Sequence, residues 1–486
     1  MAFIGIDLGT TNIKAALYDG KNLKQIKCLS GTVKYLRDGR KVEFDVGETA
    51  DTVFWMLHEL GEYDFPVDQI ILTGQAESLV LLGKDGSPLR KAISWMDERS
   101  AAECKELSQK FTSDAYYGVT GQKAIIPTWP ATKILHLFRS EPELMAKTAV
   151  FIMLKDFIAY RLSGIFSAEK TIATFSSYFD IFRGCYWQEM LDLIKVTGSQ
   201  LPPLVEPCTV LGPLKPGLNL GKAYKNTLVN TGMLDHFAGM IGNGVIKPGV
   251  ISESTGTVMG LSAIAEMPLS QNNSLPLHYG PFPGTFAVLP VVESGGISLE
   301  WFRDNFLSGL TFKELDEKVK NRKIEKLLFL PYLVGINAPD FDNDACGVFF
   351  GLRSDTDAVD MARSVMEGVA LLLNKNVEEM RRCSLNFSYI ISTGGAAKSD
   401  VWSQIKADIC GLDVWIPANN EAACLGAAMI GAVSAGVFPD YQSAVDACVI
   451  ISKVFHPCGD NSYTAKKKGF KQLYDGMLST ARAMQH

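Results

Sequence analysis

The chain opens on two short apolar runs joined by a small polar turn. Residues 3–6 are largely apolar, Asp7 ends this first run, and Gly-Thr-Thr at 9–11 precedes a second apolar run that reaches Asp19-Gly20. Short apolar runs bounded by turn residues are typical of β-strands. The pattern therefore predicts a strand, a tight turn and a second strand, with Asp7 at the mouth of the turn.

This turn has the residues expected of a phosphate site. Gly9 carries no side chain, so the backbone can approach a ligand closely there. The amides and hydroxyls of Thr10 and Thr11 can then face phosphate oxygens, and the Asp7 carboxylate can hold a hard cation such as Mg2+. Many hairpins carry a similar turn for structural reasons, and that alternative stays open for this hairpin taken alone.

A second stretch repeats the design. The apolar run over 249–252 leads through Glu253 into a Ser-Thr-Gly-Thr turn, and another apolar run leaves it. Thr255, Gly256 and Thr257 are therefore predicted to form a second phosphate-binding turn. Two such hairpins facing each other across a cleft can hold the phosphates of one nucleotide from both sides, whereas the alternative is two unrelated β-turns.

Polar residues also follow the predicted strand that runs from Gln69 to Thr73. In α/β sheets, ligands collect beyond the carboxyl ends of the strands. Gln75 and Glu77 are therefore candidates for binding a hydroxylated substrate, and the alternative is a solvated loop. Trp95 and Asp97 follow a further apolar stretch, where a carboxylate beside an arginine can bind sugar hydroxyls or form a surface salt bridge.

Two later strand ends carry candidate groups as well. One strand ends at Gly232, and a helix begins at or just after Asp235, whose carboxylate either caps the helix or acts as a general base. Another strand runs into Gly394, Gly395 and Ala396, where the lack of side chains leaves a flat surface for an adenine or a ribose. Apolar residues at helical spacing predict helices over 47–61, 131–146, 152–164 and 358–373.

Composition narrows the class of protein. With 486 residues the chain is too long for one ordinary core, so two domains are predicted, with a boundary near residue 246. A net charge of −6 with one short basic run at 466–468 gives little support for nucleic-acid binding. No apolar run approaches the length of a membrane span, and the start lacks the layout of a signal peptide. Ten scattered cysteines favour a reducing cytoplasm.

Taken together, these motifs resemble the FGGY family of carbohydrate kinases over nearly the whole chain. The most specific match is Gly347-x-Phe349-x-Gly351-Leu352 followed by residues 360–367, which resembles the C-terminal signature of the family. The turns at 9–11 and 254–257 resemble its two phosphate motifs. The resemblance implies an α/β fold with two ribonuclease-H-like (actin-like ATPase) domains flanking a central cleft.

The resemblance also implies domain roles and residue roles. Residues 1–245 would form the sugar-binding domain and 246–486 the nucleotide-binding domain, for transfer of the ATP γ-phosphate to a sugar or polyol hydroxyl with Mg2+. Asp235 would accept the proton of the attacking hydroxyl, and Asp7 would hold Mg2+. The substrate would meet Gln75, Glu77, Trp95, Asp97 and Asp235. The nucleotide would meet Gly9, Thr10, Thr11, Thr255, Gly256, Thr257, Gly394, Gly395 and Ala396.

The predicted substrate residues resemble those of xylulose kinases at some positions and those of glycerol kinases at others. Gln75 is shared with both xylulose kinases and glycerol kinases, whereas Glu77 resembles the glycerol kinases alone. Residues 95–99 and Lys155-Asp156 resemble xylulose kinases, and Pro130-x-x-Lys133 fits part of the family's N-terminal signature. We expect a ketopentose such as xylulose, with a polyol (glycerol, erythritol) or an aldonate (gluconate) as alternatives.

Rival classes share the fold. A non-catalytic sugar-sensing protein would have no need of Asp7 and Asp235, and both are present. A chaperone would need a peptide-binding domain, but only about 90 residues follow the adenosine motif, and a cytoskeletal ATPase should polymerise. We expect a cytoplasmic enzyme with no nucleic-acid or membrane partner, and a homodimer as its assembly.

Overall fold

The computed structural model describes residues 1–63, 65–218, 220–269, 275–322, 326–335, 345–419, 421–459 and 463–484. Internal contacts divide the chain into two units. The first consists of Met1–Ile246, Leu277–Phe286 and Asn419–Val449, and the second of Lys247–Pro276, Ala287–Ala418 and Ile450–His486. This division differs from the single boundary near residue 246 predicted from the sequence, because two later segments pack with the first unit.

The chain forms 25 strands and 16 α-helices within the described residues. The strands that begin before residue 246 are β1 (Ala2–Leu8), β2 (Asn12–Asp19), β3 (Gln25–Thr32), β4 (Tyr35–Asp38), β5 (Lys41–Phe44), β6 (Val67–Gly74), β7 (Leu79–Leu82), β8 (Ala92–Ile93), β9 (Val150–Met153), β10 (Ala168–Glu169), β11 (Phe179–Asp180), β12 (Cys185–Tyr186), β13 (Leu204–Val205), β14 (Val210–Pro213) and β15 (Leu228–Leu234). The later strands are β16 (Val250–Thr255), β17 (Met259–Ala265), β18 (Leu277–Tyr279), β19 (Phe286–Val288), β20 (Val291–Val292), β21 (Leu328–Leu330), β22 (Val348–Phe350), β23 (Tyr389–Gly394), β24 (Asp413–Pro417) and β25 (Ile451–Phe455).

The helices also fall before and after residue 246. Those that begin before residue 246 are α1 (Val46–Gly61), α2 (Ala101–Ser108), α3 (Ser113–Thr120), α4 (Pro130–Ser140), α5 (Pro142–Lys147), α6 (Leu154–Ser163), α7 (Lys170–Ala173), α8 (Gln188–Leu193) and α9 (Asp235–Gly242). The later ones are α10 (Ile297–Phe306), α11 (Phe312–Val319), α12 (Ala358–Arg382), α13 (Asp400–Cys410), α14 (Ala422–Ser434), α15 (Tyr441–Cys448) and α16 (Thr464–Ala483).

The central sheet of the first unit has the strand order β14-β15-β6-β1-β2-β3. Strands β1, β6 and β15 are parallel, and β2 runs antiparallel to both of its neighbours. Ile4, Ile6 and Leu8 of β1 join a buried apolar cluster with residues of α1 and α6. Helix α14 packs on the opposite face, where a Cβ on Gly5 would lie 2.3 Å from Cys424 O. Both faces of β1 are therefore covered, which explains its apolar sequence.

Close contact with α9 explains why α14 belongs to the first unit. A Cβ on Gly242 would lie 1.9 Å from Ala422 O, and a Cβ on Gly426 would lie 1.8 Å from Ala238 O. Only glycine leaves room for backbones at this separation. The small residues of α14 thus let it pack directly on α9 and on β1.

The second unit repeats the strand order of the first. Its main sheet includes β19-β17-β16-β23-β24-β25, with β16 parallel to β23, β23 parallel to β24, and β17 antiparallel to β16. The run β19-β17-β16-β23-β24 corresponds to β3-β2-β1-β6-β15 of the first unit. The two hairpins predicted from the sequence, β1–β2 and β16–β17, therefore occupy the same place in two sheets of one topology.

Helix α12 carries the apolar stripe predicted from the sequence. Asp357 caps its first turn in a reciprocal arrangement with Asp360, and Val365, Val369 and Leu373 are fully buried. This stripe is core packing, as expected. Within the described ranges, no helix is both long enough and apolar enough to cross a membrane.

Candidate active site

The carboxyl ends of three parallel strands bring the main candidates of the first unit to one edge of its sheet. In the register of β1 with β6, Asp7 lies opposite Thr73, and in the register of β15 with β6, Leu234 lies opposite Gly74. Asp7, Gln75 and Asp235 therefore leave neighbouring strands at the same level. This is the edge where ligands bind in open α/β sheets.

Asp7 has an unsatisfied carboxylate oxygen. Its Oδ1 is buried and has no hydrogen-bond partner among the described residues. Burial and, to a smaller extent, the nearby Asp235 raise the pKa of Asp7 to about 8, while Lys14 opposes the shift. A cation beside Asp7 would relieve both effects, so the site fits the Mg2+ predicted from the sequence.

The donor set near Asp7 is sparse. Over the described parts of the chain, no cluster of three or more His, Cys, Asp or Glu side chains is arranged to hold a metal ion. Mg2+ commonly takes one or two protein carboxylates and completes its shell with water and substrate phosphate. A single carboxylate at this position is compatible with that mode of binding.

Asp235 is the first residue of α9 and not its cap. Leu234 occupies the cap position and offers no side-chain hydrogen bond. Oδ1 of Asp235 accepts from the amide of His236 at 2.6 Å, and burial raises the pKa of Asp235 to about 6. A carboxylate with this pKa is still largely ionised at neutral pH and is a stronger proton acceptor than an ordinary aspartate.

The turn between β1 and β2 is tightly built. A Cβ on Gly9 would lie 2.7 Å from Asn12 O, so glycine is needed for the turn to close. The hydroxyl of Tyr35 donates to Thr10 O at 2.9 Å, and Trp95 Nε1 donates to Thr10 Oγ1 at 3.0 Å. Thr11 is exposed beside them. The structure thus brings Gly9, Thr10 and Thr11 together as predicted, and it links Trp95 to the same turn.

Gln75 is held in place by the residues around it. Its Nε2 donates to Gly9 O at 3.4 Å, and its Oε1 accepts from Ser78 Oγ at 3.1 Å. Ser78 Oγ in turn accepts from the amide of Trp95 at 3.2 Å. The Trp95 side chain keeps 38% of its surface exposed. Gln75 and Trp95 therefore share one hydrogen-bonded wall beside the turn.

Glu77 and Lys133 lie close to each other. Its backbone has φ +65°, a strained conformation for a residue with a side chain, and its buried Oε2 lacks a hydrogen-bond partner among the described residues. Lys133 Nζ donates to Glu77 O at 3.2 Å and to Ser94 O at 2.8 Å. Burial raises the pKa of Glu77 and lowers that of Lys133, and each charge opposes the shift of the other.

The substrate contact predicted for Asp97 is not supported. Asp97 is fully buried, and its Oδ1 accepts from the amide and from Nε of Arg99 at 3.1 and 2.9 Å. Its Oδ2 accepts from Val42 N and from Arg99 Nη2, and Arg99 also contacts Glu43 at 2.6 Å. Both carboxylate oxygens are already used, so Asp97 anchors the loop that carries Trp95.

Sequence reasoning overlooked a buried polar group beside α9. His278 stacks on Phe175 with the ring centroids 4.5 Å apart, and Gln122 Nε2 lies 3.4 Å from His278 Nδ1. Burial lowers the pKa of His236 to about 4 and that of His278 to about 3, so both imidazoles are neutral at pH 7. No spacing signal joins these residues, because Gln122 and His278 lie 156 positions apart.

The second unit contains a cavity of about 700 Å³. Thr255, Gly256 and Thr257 line it on the side of the β16–β17 turn, and Gly395 and Ala396 line it after β23. The structure thus brings the second predicted phosphate turn together with Gly395 and Ala396 at one cavity. Its further lining residues are Gly296, Leu299, Glu300, Phe312, Lys313, Asp316, Glu317, Lys320, Lys398, Ser399, Asp400, Val401, Trp402 and Lys453.

Gly394 shapes the cavity without lining it. It has φ +82°, and a Cβ there would lie 2.6 Å from Thr255 O. Its backbone conformation and the close approach to β16 both require glycine. Gly394 therefore lets β23 end beside the turn between β16 and β17, while Gly395 and Ala396 line the cavity.

The hydroxyl of Thr255, a predicted nucleotide contact, is used inside the protein. Thr255 is fully buried, and its hydroxyl donates to Oε1 of Glu253. Lys406 Nζ donates to both Glu253 oxygens at 2.9 Å, and the Ser392 hydroxyl also donates to Glu253. The side chain of Thr255 therefore belongs to a buried cluster under the turn, whereas Gly256 and Thr257 are exposed at the cavity.

The lining of this cavity by helix α11 was also not predicted from the sequence. Phe312 and Asp316 lie on α11, and Ser399 Oγ donates to Asp316 Oδ1 at 2.8 Å. Phe312 keeps 44% of its surface exposed. An aromatic residue at the start of a helix rich in charged residues was the available signal, but its spacing to Gly394 and Gly395 carried no information.

Two sequence profiles of one family cover most of this chain. The profile described as the FGGY family of carbohydrate kinases, N-terminal domain, matches residues 2–242, and the C-terminal domain profile matches residues 249–435. The chain belongs to the FGGY family of carbohydrate kinases. The resemblance predicted from the motifs is thereby confirmed, and with it the assignment of this FGGY chain as a sugar kinase that transfers phosphate to a carbohydrate.

Individual relatives cover nearly all of this FGGY kinase. A xylulose kinase of Staphylococcus epidermidis is 30% identical over 98% of this chain and 98% of its own length. A gluconokinase of Bacillus licheniformis is 26% identical over 99% and 96%. The crystal structure of xylulose kinase from Rhodospirillum rubrum has a TM-score of 0.93 at 24% identity and covers 99% and 100%. The predicted α/β fold with two actin-like ATPase domains is confirmed.

Proposed function

We propose that this FGGY kinase uses ATP to phosphorylate a ketopentose of the xylulose type. The observation that carries the proposal is the shared edge of β1, β6 and β15, where Asp235 leaves the sheet beside Gln75 and Asp7. A proton acceptor, a hydroxyl-binding amide and a carboxylate suited to a cation are the groups that phosphoryl transfer to an alcohol needs. The name of the 30% identical relative supports the choice of sugar.

Asp235 would accept the proton of the attacking hydroxyl. Its raised pKa of about 6 keeps it ionised at neutral pH and makes it more basic than an ordinary aspartate. Gln75, Glu77 and Trp95 would hold the other hydroxyls and the carbon face of the sugar. Because Gln75 and Trp95 are fixed by their own hydrogen bonds, little ordering would remain to be done on binding.

The cavity of the second unit would hold the nucleotide. The amides of Gly256 and Thr257 and the hydroxyl of Thr257 would contact phosphate oxygens, and Gly395 with Ala396 would face the adenosine. Asp7 would hold Mg2+, which when bound offsets negative charge on the β- and γ-phosphates. The unpartnered Oδ1 of Asp7 supports this role.

An aldonate is the second candidate, because a relative of comparable coverage is a gluconokinase. A substrate carboxylate would need a free positive charge near the sugar. Lys133 is the cation close to Glu77, but it is fully buried and donates to two backbone carbonyls. This arrangement favours a neutral sugar over an acid.

The test is ADP release by the purified protein with Mg-ATP, over xylulose, ribulose, ribose, glycerol, erythritol and gluconate. We expect one ketopentose to give the highest kcat/KM, and we expect EDTA to abolish the signal. A strong response to gluconate or glycerol alone would replace the proposed substrate. ATP binding without turnover on any compound would favour a sugar-sensing protein.

A reducing cytoplasm is proposed as the compartment. All ten cysteines are free thiols, and Cys410 and Cys424 are buried, as is usual for a reducing environment. The homodimer and the absence of nucleic-acid partners remain predictions.

A further inference from the structure

A chain of buried hydrogen bonds ends at the residue before Asp235. Thr171 Oγ1 accepts from the amide of Leu234 at 2.9 Å and donates to Glu169 Oε2 at 2.7 Å. The amide of Thr171 also donates to Glu169 Oε1 at 2.6 Å. Thr171 and Glu169 are fully buried. The hydroxyl of Thr171 thus ties the start of α9 to a carboxylate on a different segment of the first unit.

Lys155 anchors the far end of this chain. Its Nζ lies 3.6 Å from Glu169 Oε2 and 3.2 Å from Asp156 Oδ1, and it donates to Thr231 O at 2.8 Å. Lys155 and Glu169 have no exposed surface, and Asp156 keeps 2%. One cation and two carboxylates are therefore buried together beneath β15.

The two attachment points lie at an irregular part of β15. The ladder between β15 and β6 shifts register between Asn230 and Met233. Thr231, whose carbonyl accepts from Lys155, lies within this shift, and Leu234, whose amide donates to Thr171, lies just beyond it, where the ladder has resumed. The two side chains therefore add restraint at and directly after the interruption.

Stability alone is a poor explanation for such a cluster. Well-packed apolar residues often stabilise a fold as well as a buried ion group does, because desolvating the charges is costly. A rigid support for a reacting group is a different benefit. A displacement of about 1 Å at a reacting group can cost about a hundredfold in rate.

We propose that Thr171, backed by Glu169 and Lys155, is a positioning residue that sets the place of the Asp235 carboxylate for proton transfer. This inference rests on the proposed function, in which Asp235 receives the proton of the sugar hydroxyl. Thr171 does not touch the substrate in this role. It acts through the backbone of Leu234, one residue before Asp235.

The decisive variants are Thr171→Val and Thr171→Ser. Valine keeps the shape of threonine but can neither accept from Leu234 nor donate to Glu169, so kcat for the sugar should fall about 10- to 100-fold. The KM for ATP should stay within about twofold, because the nucleotide cavity lies in the second unit. Serine retains the hydroxyl and should restore kcat to within about threefold of the native value.

Thr227→Val is the matched control. Thr227 is also buried, precedes the other end of β15, and donates from its hydroxyl to Val67 O at 2.6 Å. It should lose thermal stability to a similar extent while kcat stays within about twofold. If Thr171→Val does not fold, Glu169→Gln tests the same chain, because it removes the charge that Lys155 faces, and kcat should fall several-fold.

Three outcomes have separate meanings. A native kcat in Thr171→Val, or an equal loss of kcat in Thr227→Val, would overturn the positioning role while leaving the proposed function intact. A native enzyme without turnover on any sugar would overturn the proposed function and this inference with it. A loss confined to Thr171→Val and Glu169→Gln, with rescue by serine, is the expected result.

Discussion

The β1–β2 hairpin of the first unit and the β16–β17 hairpin of the second occupy the same place in the same strand order, yet each treats its carboxylate differently. Asp7 has an oxygen without a partner among the described residues and a pKa raised to about 8. Glu253 is fully buried, and both of its oxygens accept from Lys406 at 2.9 Å.

This difference separates a carboxylate that can bind a ligand, Asp7, from one that supports the fold, Glu253. A half-satisfied carboxylate is unfavourable in the free protein and gains partners when a ligand and a cation bind. A paired carboxylate offers nothing to a ligand, but it fixes the turn that presents Gly256 and Thr257. Under the proposed function, the first unit supplies the chemistry and the second unit supplies the hold on the nucleotide.

The largest expected effect concerns the proton acceptor of the first unit. Asp235→Asn preserves the shape of the side chain but cannot accept a proton, so kcat should fall about 10²- to 10⁴-fold. The Kd for ATP should change by less than about twofold. Steady-state ADP release and calorimetric titration with ATP measure the two quantities. Near-native turnover would remove Asp235 from the reaction.

The next effect concerns the paired carboxylate of the second unit. Lys406→Met leaves Glu253 buried without its cation, and breaking such a pair destabilises a protein by about 3–5 kcal/mol. Urea unfolding would measure the loss, and Lys406→Met with Glu253→Gln should recover much of it. Arg382→Met is the control, because Arg382 is 67% exposed beside Glu379, and such pairs contribute about 0–1 kcal/mol. Equal losses in both single variants would contradict the contrast.

A smaller effect separates the two threonines of the second turn. Thr257→Val removes an exposed hydroxyl, so the KM for ATP should rise about tenfold, equivalent to about 1.4 kcal/mol for one bond to a charged phosphate. Thr255→Val removes a donor to Glu253, so it should lower stability by about 1–3 kcal/mol and leave the KM nearly unchanged. Kinetics and thermal unfolding of both variants decide the point, and the reverse assignment would show that Thr255 is the ligand contact.

The last expected effect concerns the stability of the first unit and its dependence on pH. In the folded protein the pKa of Asp7 is raised from 3.8 to about 8, mainly by burial. The contribution of Asp7 to stability is therefore fully present below about pH 3.8 and is lost as the pH rises through about 8. Asp7→Asn should therefore raise Tm relative to the native protein, by about 2–4 °C for each kcal/mol gained, and the difference should grow from about pH 5 to pH 8. The measurement is made without a metal ion. If the Tm difference between Asp7→Asn and the native protein shrinks with rising pH, burial does not disfavour the charged form of Asp7.

Local patterns predicted the elements that depend on local forces. The helix expected over 47–61 is α1 (Val46–Gly61), because its apolar stripe lies within the segment and its Asp45 cap directly precedes it. The helix expected over 131–146 is broken into α4 and α5 at Pro142, which begins a new helix because it cannot continue the old one. The helix expected from residue 152 loses its start to β9, since pairing with β7 overrides the helical pattern.

In the candidate site, too, some residues could be placed from the sequence and others could not. Asp7, Gln75 and Asp235 could be placed from the sequence, because the ends of adjacent parallel strands meet at one edge of a sheet. Asp97 and Thr255 could not, because their roles depend on which partner reaches them. Arg99 is close in sequence but could equally have faced solvent, and Lys406 reaches Glu253 from 153 positions away. Thr171 carried no motif at all.

The packing of α14 on β1 also has a consequence for biosynthesis. One face of the N-terminal strand is covered by a helix that begins about 190 residues after β15 ends. At ordinary translation rates this interval lasts roughly 10–40 s. The apolar surface around Gly5 stays uncovered during that time, so nascent chains that end before Ala422 should bind chaperones. Early termination in this interval should yield aggregates rather than a folded first unit.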